Sequence, residues 1–215
     1  MKKIIGFLFG MLLFGGIASA QWSAGAGYAH AALVSRAAGD RLGEKAAFNG
    51  LYAGVGYALP LGDGLRFTPG VYYEYLACGE KTELVRLDFI GETVEHYLSV
   101  PLSFDLGVAL SPDIRLAVFA GPTVRLGLSS VTSYNLGWGV GGFEVIKGGL
   151  GDNNYNDGDY TRFDLLLGGG VALELMGRWR LQIGCDAGLI NRYIGEEGGR
   201  QIHSSRLTAG IAYLF

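Results

Sequence analysis

Alternation with a period of two, repeated along the chain with charge on one face and hydrocarbon on the other, constrains this sequence more than any other feature. In WRLQIGCDAGLIN the odd positions Trp179, Leu181, Ile183, Cys185, Ala187 and Leu189 are apolar. The even positions Arg180, Gln182, Gly184, Asp186 and Gly188 are polar or glycine. Successive side chains of a strand point to opposite faces, so this stretch is a strand with one apolar and one polar side. RFDLLLGGGVALEL sets Phe163, Leu165, Leu167, Val171, Leu173 and Leu175 against Arg162, Asp164, Gly168, Gly170 and Glu174. IRLAVFAGPTVRLGL, VEHYLSVPLSFDL and LRFTPGVYYEY repeat the pattern, and residues 22–33, 50–61 and 203–215 complete the set. The sum is about eight strands, each longer than the ~9–11 residues that cross a bilayer at a tilt.

A soluble antiparallel protein alternates too, but its apolar face lines a core. Here the polar face carries Arg66, Arg115, Arg125, Arg162, Arg180 and Arg206 and, in equal number, Glu74, Glu95, Asp105, Asp164, Glu174 and Asp186. Balanced charge of that kind suits a closed lumen, and most glycines fall on the same face, where a narrow barrel leaves little room. The connections 61–64, 109–113 and 176–178 are short, whereas 35–47, 78–93, 129–160 and 191–202 are long. Short periplasmic turns and long outer loops are the layout of an outer-membrane barrel. Outward aromatics gather at the strand ends: Trp22, Tyr57, Phe67, Phe104, Trp179, Tyr213 and Phe215 below, and Tyr28, Tyr73, Tyr75 and Phe163 above. They read as two interfacial girdles.

The front of the chain agrees. Lys2 and Lys3 precede the apolar run 4–17 and the small residues Ala18-Ser19-Ala20, the anatomy of a secretory signal peptide at residues 1–20. A barrel domain at 21–215 would follow. Without Lys2 and Lys3, the 17 basic and 20 acidic residues become 15 and 20, a net charge of −5. No basic block remains, which argues against nucleic acid as a partner. The chain is 49% hydrophobic, yet no run beyond the leader approaches the ~18 apolar residues of a spanning helix. Cys78 and Cys185 fall on segments far apart in this layout and are expected to be unbridged.

Two stretches and the closing strand carry a family likeness. LTAGIAYLF, residues 207–215, alternates and ends on Phe215. It resembles the terminal signature that the barrel-assembly machinery recognises in outer-membrane barrels. HYLSVPLSFDLG and FAGPTVRLG resemble paired strands of the small OmpX-like, PorT-type barrel proteins of Bacteroidota-like bacteria. The resemblance implies an all-β, closed antiparallel transmembrane barrel in a Gram-negative outer membrane. It brings no catalytic residue, cofactor or metal. PorT itself is associated with protein secretion across the outer membrane.

Some features pull the other way. Pro69, Pro101 and Pro122 fall inside strands, where each removes a ladder hydrogen bond, so local bulges are expected. Segments 84–90 and 136–146 either extend hairpins above the membrane or make a ten-stranded barrel. His30, His96 and His203 share the lipid-facing phase near the outer rim, and closure of the barrel brings the strands of His30 and His203 together. His203 and Ser205, with Glu196 or Glu197, have the residue types of an outer-membrane lipid A deacylase. In GLGDNNYNDGDYTR, Asp152, Asn154 and Asn156 are spaced like a calcium loop, but Asp157 replaces the turn glycine and Phe163 the bidentate Glu. GWGVGG, residues 137–142, has dinucleotide-fingerprint letters without the strand-to-helix context. The expected function is a non-enzymatic barrel with a packed charged lumen, presenting loops for envelope integrity or surface interaction. A small-solute pore is the alternative, and a lipid-modifying enzyme comes third. The expected partners are outer-membrane lipid and lipopolysaccharide, the assembly machinery through Phe215, and an extracellular ligand of loop 129–160.

Overall fold

The computed structural model describes residues 21–36, 44–84, 87–138, 145–148, 153–156, 160–195 and 201–215. The leader at 1–20, Glu196 and Glu197 lie outside them. The strands are β1 (Gln21–Arg36), β2 (Glu44–Pro60), β3 (Leu65–Leu84), β4 (Leu87–Ser111), β5 (Ile114–Trp138), β6 (Val145–Gly148), β7 (Phe163–Leu175), β8 (Trp179–Gly188) and β9 (Gln201–Leu214). Each neighbour pair is antiparallel. The order β4-β3-β2-β1-β9-β8-β7-β5 is closed by β4 against β5, which leaves eight strands in a ring. The short β6 pairs only with the far end of β5. Segments 84–90 and 136–146 therefore extend hairpins, with Leu84 opposite Leu87 and Leu136 opposite Ile146. No described helix is long and apolar enough to cross a membrane.

The burial pattern is inside-out relative to a soluble protein. Glu74, Ser99, Asp105, Arg125 and Asp164 are each 1% exposed, whereas Leu51 is 64%, Val108 60% and Ile183 57% exposed. Hydrocarbon outside and charge inside is what a bilayer demands, and ring closure satisfies every spanning strand without a free edge. At the short-turn end the outward aromatics pair across strands. Trp22 meets Tyr57 at 4.8 Å, Phe67 meets Phe104 at 5.1 Å, and Trp179 meets Tyr213 at 5.1 Å between ring centroids. The β7–β8 turn needs left-handed backbone: Met176 and Gly177 have φ of 55° and 61°, and Arg178 N–H closes the turn on the Leu175 carbonyl at 3.0 Å. That is a type I′ hairpin turn, whose twist matches that of its strands.

The prolines behave differently from expectation. β3, β4 and β5 run straight through Pro69, Pro101 and Pro122 with no change of register at any of them. The ladder merely skips: β2–β3 pairs Gly56 with Gly70 and next Leu59 with Phe67. Each proline lacks one N–H toward one neighbour, while pairing with the other neighbour persists and the closed ring holds the strand in place. The register shifts lie elsewhere in the β4–β5 ladder, one beside the turn between Ala109 and Ser111 and one between His96 and Tyr97. His96 pairs Ser129 while Tyr97 pairs Gly127, so Leu128 is the extra residue of a bulge. The bulge flips the phase of β5, turning Ser130 inward to 3% exposure.

Candidate functional site

The lumen is the candidate site, and cross-strand register builds it. Directly opposed residues share a face, so opposite charges set in register pair without distortion. Arg115 on β5 faces Glu174 on β7, which faces Arg180 on β8. Asp186 faces Arg206 across β8–β9, and Arg125 faces Asp164 across β5–β7.

These pairs form three tiers. At the short-turn end Glu174 receives Arg66 at 2.9 Å, Arg115 at 3.1 Å and Arg180 at 2.9 Å, and Arg180 also lies 2.8 Å from Asp105. The middle tier centres on Glu74, which takes Arg125 at 2.9 Å, a hydrogen bond from Ser99 Oγ at 2.6 Å, and Arg206. Arg206 continues to Asp186 at 2.7 Å. Arg125 reaches Asp164, itself hydrogen-bonded by Ser204, at 3.9 Å. The Arg125 guanidinium stacks 3.9 Å from the centroid of the Tyr97 ring. In the outer tier Glu95 accepts from Tyr97 Oη at 2.5 Å and from Ser130 Oγ at 3.2 Å, and pairs with Arg192 at 3.6 Å.

All six expected acids lie in this network, but one expected base does not. Arg162 precedes β7 and is exposed; it donates to the Leu128 carbonyl at 3.2 Å and lies over Tyr155. Past the strand end, its side chain no longer points into the ring. Arg192 takes the vacant role. It follows β8 in a segment without alternation, so period-two reasoning passes over it. Asn191 folds that segment inward by accepting from the N–H groups of Tyr193 at 3.1 Å and Ile202 at 2.7 Å. Sequence reasoning also missed the apolar part of the lumen. Phe48, Tyr52, Leu76, Cys78 and Tyr97 cluster inside the β1–β4 wall. Glycines make space for the large rings. A Cβ on Gly210 would lie 2.1 Å from Tyr52 Oη, and one on Gly170 would lie 2.7 Å from Phe119. Between the two lower tiers a cavity of about 110 Å³ is lined by Thr68, Tyr72, Asp105, Phe119, Gln182 and Thr208. Its lining is mixed, and it is roomy enough for a few waters beside its polar side chains.

A loop segment closes the top. Asn154 N–H donates to the Ser130 carbonyl at 2.8 Å, and its side-chain amide donates to Ser130 Oγ and Thr132 Oγ1, both at 3.0 Å. Tyr155 thereby drops into the mouth, 7% exposed, and receives a hydrogen bond from Arg192 at 3.2 Å. In this segment Asn154 clips the loop to β5, and Asp152 and Asp157 lie outside the described residues. Burial, then the nearby Glu95 carboxylate, pushes the Tyr155 phenol above its ordinary value of 10.0. Arg192 remains charged: burial works against it, but Tyr97, Glu95 and Tyr155 push its titration up. A group that holds its proton more tightly when docked contributes fully below its free value and loses that contribution as pH rises. Docking of the segment is therefore expected to be constant up to pH about 10 and to weaken above it. Protease cleavage of the outer loops, followed against pH, checks this; an onset near neutrality would contradict it.

The histidines face outward as expected, but two of them are not neighbours. His203 lies opposite Val34, and His30 opposite Leu207. Four residues of strand separate the rows, ~13 Å. Ser205 lies opposite Ala32 and its hydroxyl is 3.5 Å from the Ala32 carbonyl. Neither Cys78 nor Cys185 forms a disulfide; one is buried inside the ring and the other lies on its outer face.

The model of a family described as outer membrane protein beta-barrel domain matches residues 6–193. The chain belongs to that family. Its place is therefore the outer membrane, with the short turns periplasmic. No curated protein matches the chain. Solved structures similar to it include the attachment invasion locus protein Ail of Yersinia pestis, at 12% identity and TM-score 0.40 over 92% of this chain and 99% of that one. Neisserial surface protein A is similar at 18% identity and TM-score 0.41, with the same coverage of 92% and 99%. The outer membrane enzyme PagL is similar at 12% identity and TM-score 0.39, again over 92% and 99%.

Proposed function

We propose that this protein is a non-enzymatic, plugged outer-membrane barrel that presents its long loops for envelope integrity or surface interaction. The observation that carries the reading is the closure of the lumen: Glu74, Arg125 and Asp164 are each 1% exposed, and Tyr155, 7% exposed, is held in the mouth by Arg192. A pore needs a continuous wet path, whereas here opposite charges from facing strands pair across the section. Loops on so rigid a frame are where binding resides. Export on the 1–20 leader, insertion through the closing strand ending at Phe215, and contact with outer-leaflet lipid and lipopolysaccharide belong to the same proposal.

The test is conductance. Refolded protein, first shown to migrate as a heat-modifiable barrel, is expected to leave a planar bilayer silent in molar salt. A steady, salt-dependent current would favour the small-solute pore instead. An enzymatic role for His203 is tested separately. His203→Ala is expected to leave the acylation of co-reconstituted lipid A unchanged, read by mass spectrometry; loss of a deacylated product would reverse the non-enzymatic reading.

A further inference from the structure

One wall of the barrel carries a polar patch on its lipid side that neither the lumen nor the loops use. Across β1 and β2, Asn49 Oδ1 accepts from His30 Nδ1 at 2.9 Å and from the Tyr28 hydroxyl at 2.5 Å. Across β3 and β4, the Tyr73 hydroxyl hydrogen-bonds His96 Nδ1, and the Tyr75 ring stands edge-on to the same imidazole with centroids 5.4 Å apart. The register joins the two groups. Tyr28 lies opposite Leu51, Leu51 opposite Tyr75, and Tyr75 opposite His96, a row across β1–β4. At ~4.8 Å per strand the patch is ~14 Å wide. Tyr28, Tyr73 and Tyr75 are 46%, 45% and 40% exposed.

Two observations separate this patch from an ordinary interfacial girdle. The first is height. His30 is eight residues above Trp22 on β1, and His96 eight above Phe104 on β4. At ~3.3 Å per residue and a tilt near 40°, both stand ~20 Å above the periplasmic girdle, close to the outer edge of a ~25 Å apolar band. The second is one-sidedness. On β5, β7, β8 and β9 the outward residues at comparable height include one aromatic ring, Phe163, and the small polar Ser205, and are otherwise mostly aliphatic, among them Leu126, Leu128, Leu165, Ala187 and Leu207. A girdle that merely anchors the barrel would run all the way round. What is confined to the β1–β4 wall, among the described residues, is the set of outward rings hydrogen-bonded to one another or to an amide. With Asn49 Oδ1 accepting twice, the Asn49 amide N–H groups are left as donors, and so is Nε2–H of His96 where Tyr73 donates to its Nδ1; His30, whose Nδ1–H is used by Asn49, donates from Nε2 only as the imidazolium. Donors at headgroup level select an anion.

We infer that the Tyr28–His30–Asn49–Tyr73–Tyr75–His96 patch binds the phosphate-bearing headgroup of an outer-leaflet lipid. His30, Asn49 and His96 supply the donors, and the three tyrosine rings form the interfacial walls. The inference rests on the lipid contact proposed above and locates it on one wall of the barrel. His203, outward-facing on β9, is the internal control, because it lies outside the patch.

The experiment uses refolded protein carrying ring-¹⁵N histidine in zwitterionic micelles, titrated with diphosphorylated lipid A, with the same lipid after phosphatase treatment, and with inorganic phosphate. The imidazole resonances of His30 and His96 are expected to shift saturably with the phosphorylated lipid, to respond about tenfold more weakly to the dephosphorylated one, and not to respond to inorganic phosphate. His203 is expected to stay still. A His30→Phe/His96→Phe double variant keeps the interfacial rings and is expected to retain the heat-modifiable barrel while retaining about tenfold less lipid A by native mass spectrometry. Equal shifts at all three histidines, equal response to both lipids, or shifts that follow protein concentration without lipid would each overturn the site, the last by making the patch an interface between copies. A folded barrel with unmoved histidines overturns the site alone. Failure to migrate as a barrel overturns the membrane reading and the site with it.

Discussion

Arg125→Ala is expected to destabilise the barrel by about 3–5 kcal/mol, the usual cost of stripping one partner from a buried ion pair. Arg125 is 1% exposed, stands 2.9 Å from Glu74 and 3.9 Å from Asp164, and stacks on Tyr97. Its loss leaves Asp164 with the Ser204 hydroxyl and leaves Glu74 with the Ser99 hydroxyl and one cation, Arg206, in place of two. It also uncovers one face of the Tyr97 ring. Urea unfolding in lipid vesicles, read by tryptophan fluorescence and gel migration, measures the difference. Arg162→Ala is the contrast: the side chain is exposed, and the change is expected to stay within about 1 kcal/mol. Equal effects at the two arginines would mean that the middle tier does not hold the barrel together.

Glu174→Ala should be the next most damaging change, at about 2–4 kcal/mol. One carboxylate there serves Arg66, Arg115 and Arg180, and only Asp105 remains to balance all three once it is gone. The cost is put below that of a fully enclosed pair because the Arg66 and Arg115 side chains are 22% and 15% exposed and water screens them in part. The asymmetry of the hub supplies the check. Arg115→Ala leaves Glu174 with Arg66 and Arg180, so the same unfolding measurement should show under about 1 kcal/mol. An Arg115 loss as large as that of Glu174 would place the weight of this tier on the β5–β7 pair instead of on the shared carboxylate.

The two arginines that exchanged places show where sequence reasoning stops. Arg180 and Arg206 sit within unbroken alternation, and their lumen position follows from phase alone. Arg162 has the right phase but lies one residue before β7 begins, where phase no longer sets direction. Arg192 lies in a loop with no phase, and only the fold back through Asn191 brings it to Glu95. Ser130 is a third case: the bulge at Leu128 inverts the alternation, and nothing in the run of letters marks the inversion.

Alternation by itself determined the strands, the lipid face and the identity of every lumen acid, because a strand has only two sides and a bilayer accepts charge on only one; that eight of them close the ring, and not ten, was decided by the tertiary structure. The short turns and the periplasmic girdle followed from the same period. Which arginine meets which acid was decided by the tertiary structure. Glu74 is 51 residues from Arg125 and 132 from Arg206, and the three meet only because closure of the barrel sets β3 across from β5 and β9. Closure also filled the lumen with Tyr52, Phe119 and Tyr155, in space that glycines left open. It likewise set the outward histidines apart, two in hydrogen-bonded company on one wall and one outside it. Period-two patterning acts within a strand; register between strands depends on turns, bulges and ring closure, which act across the whole chain.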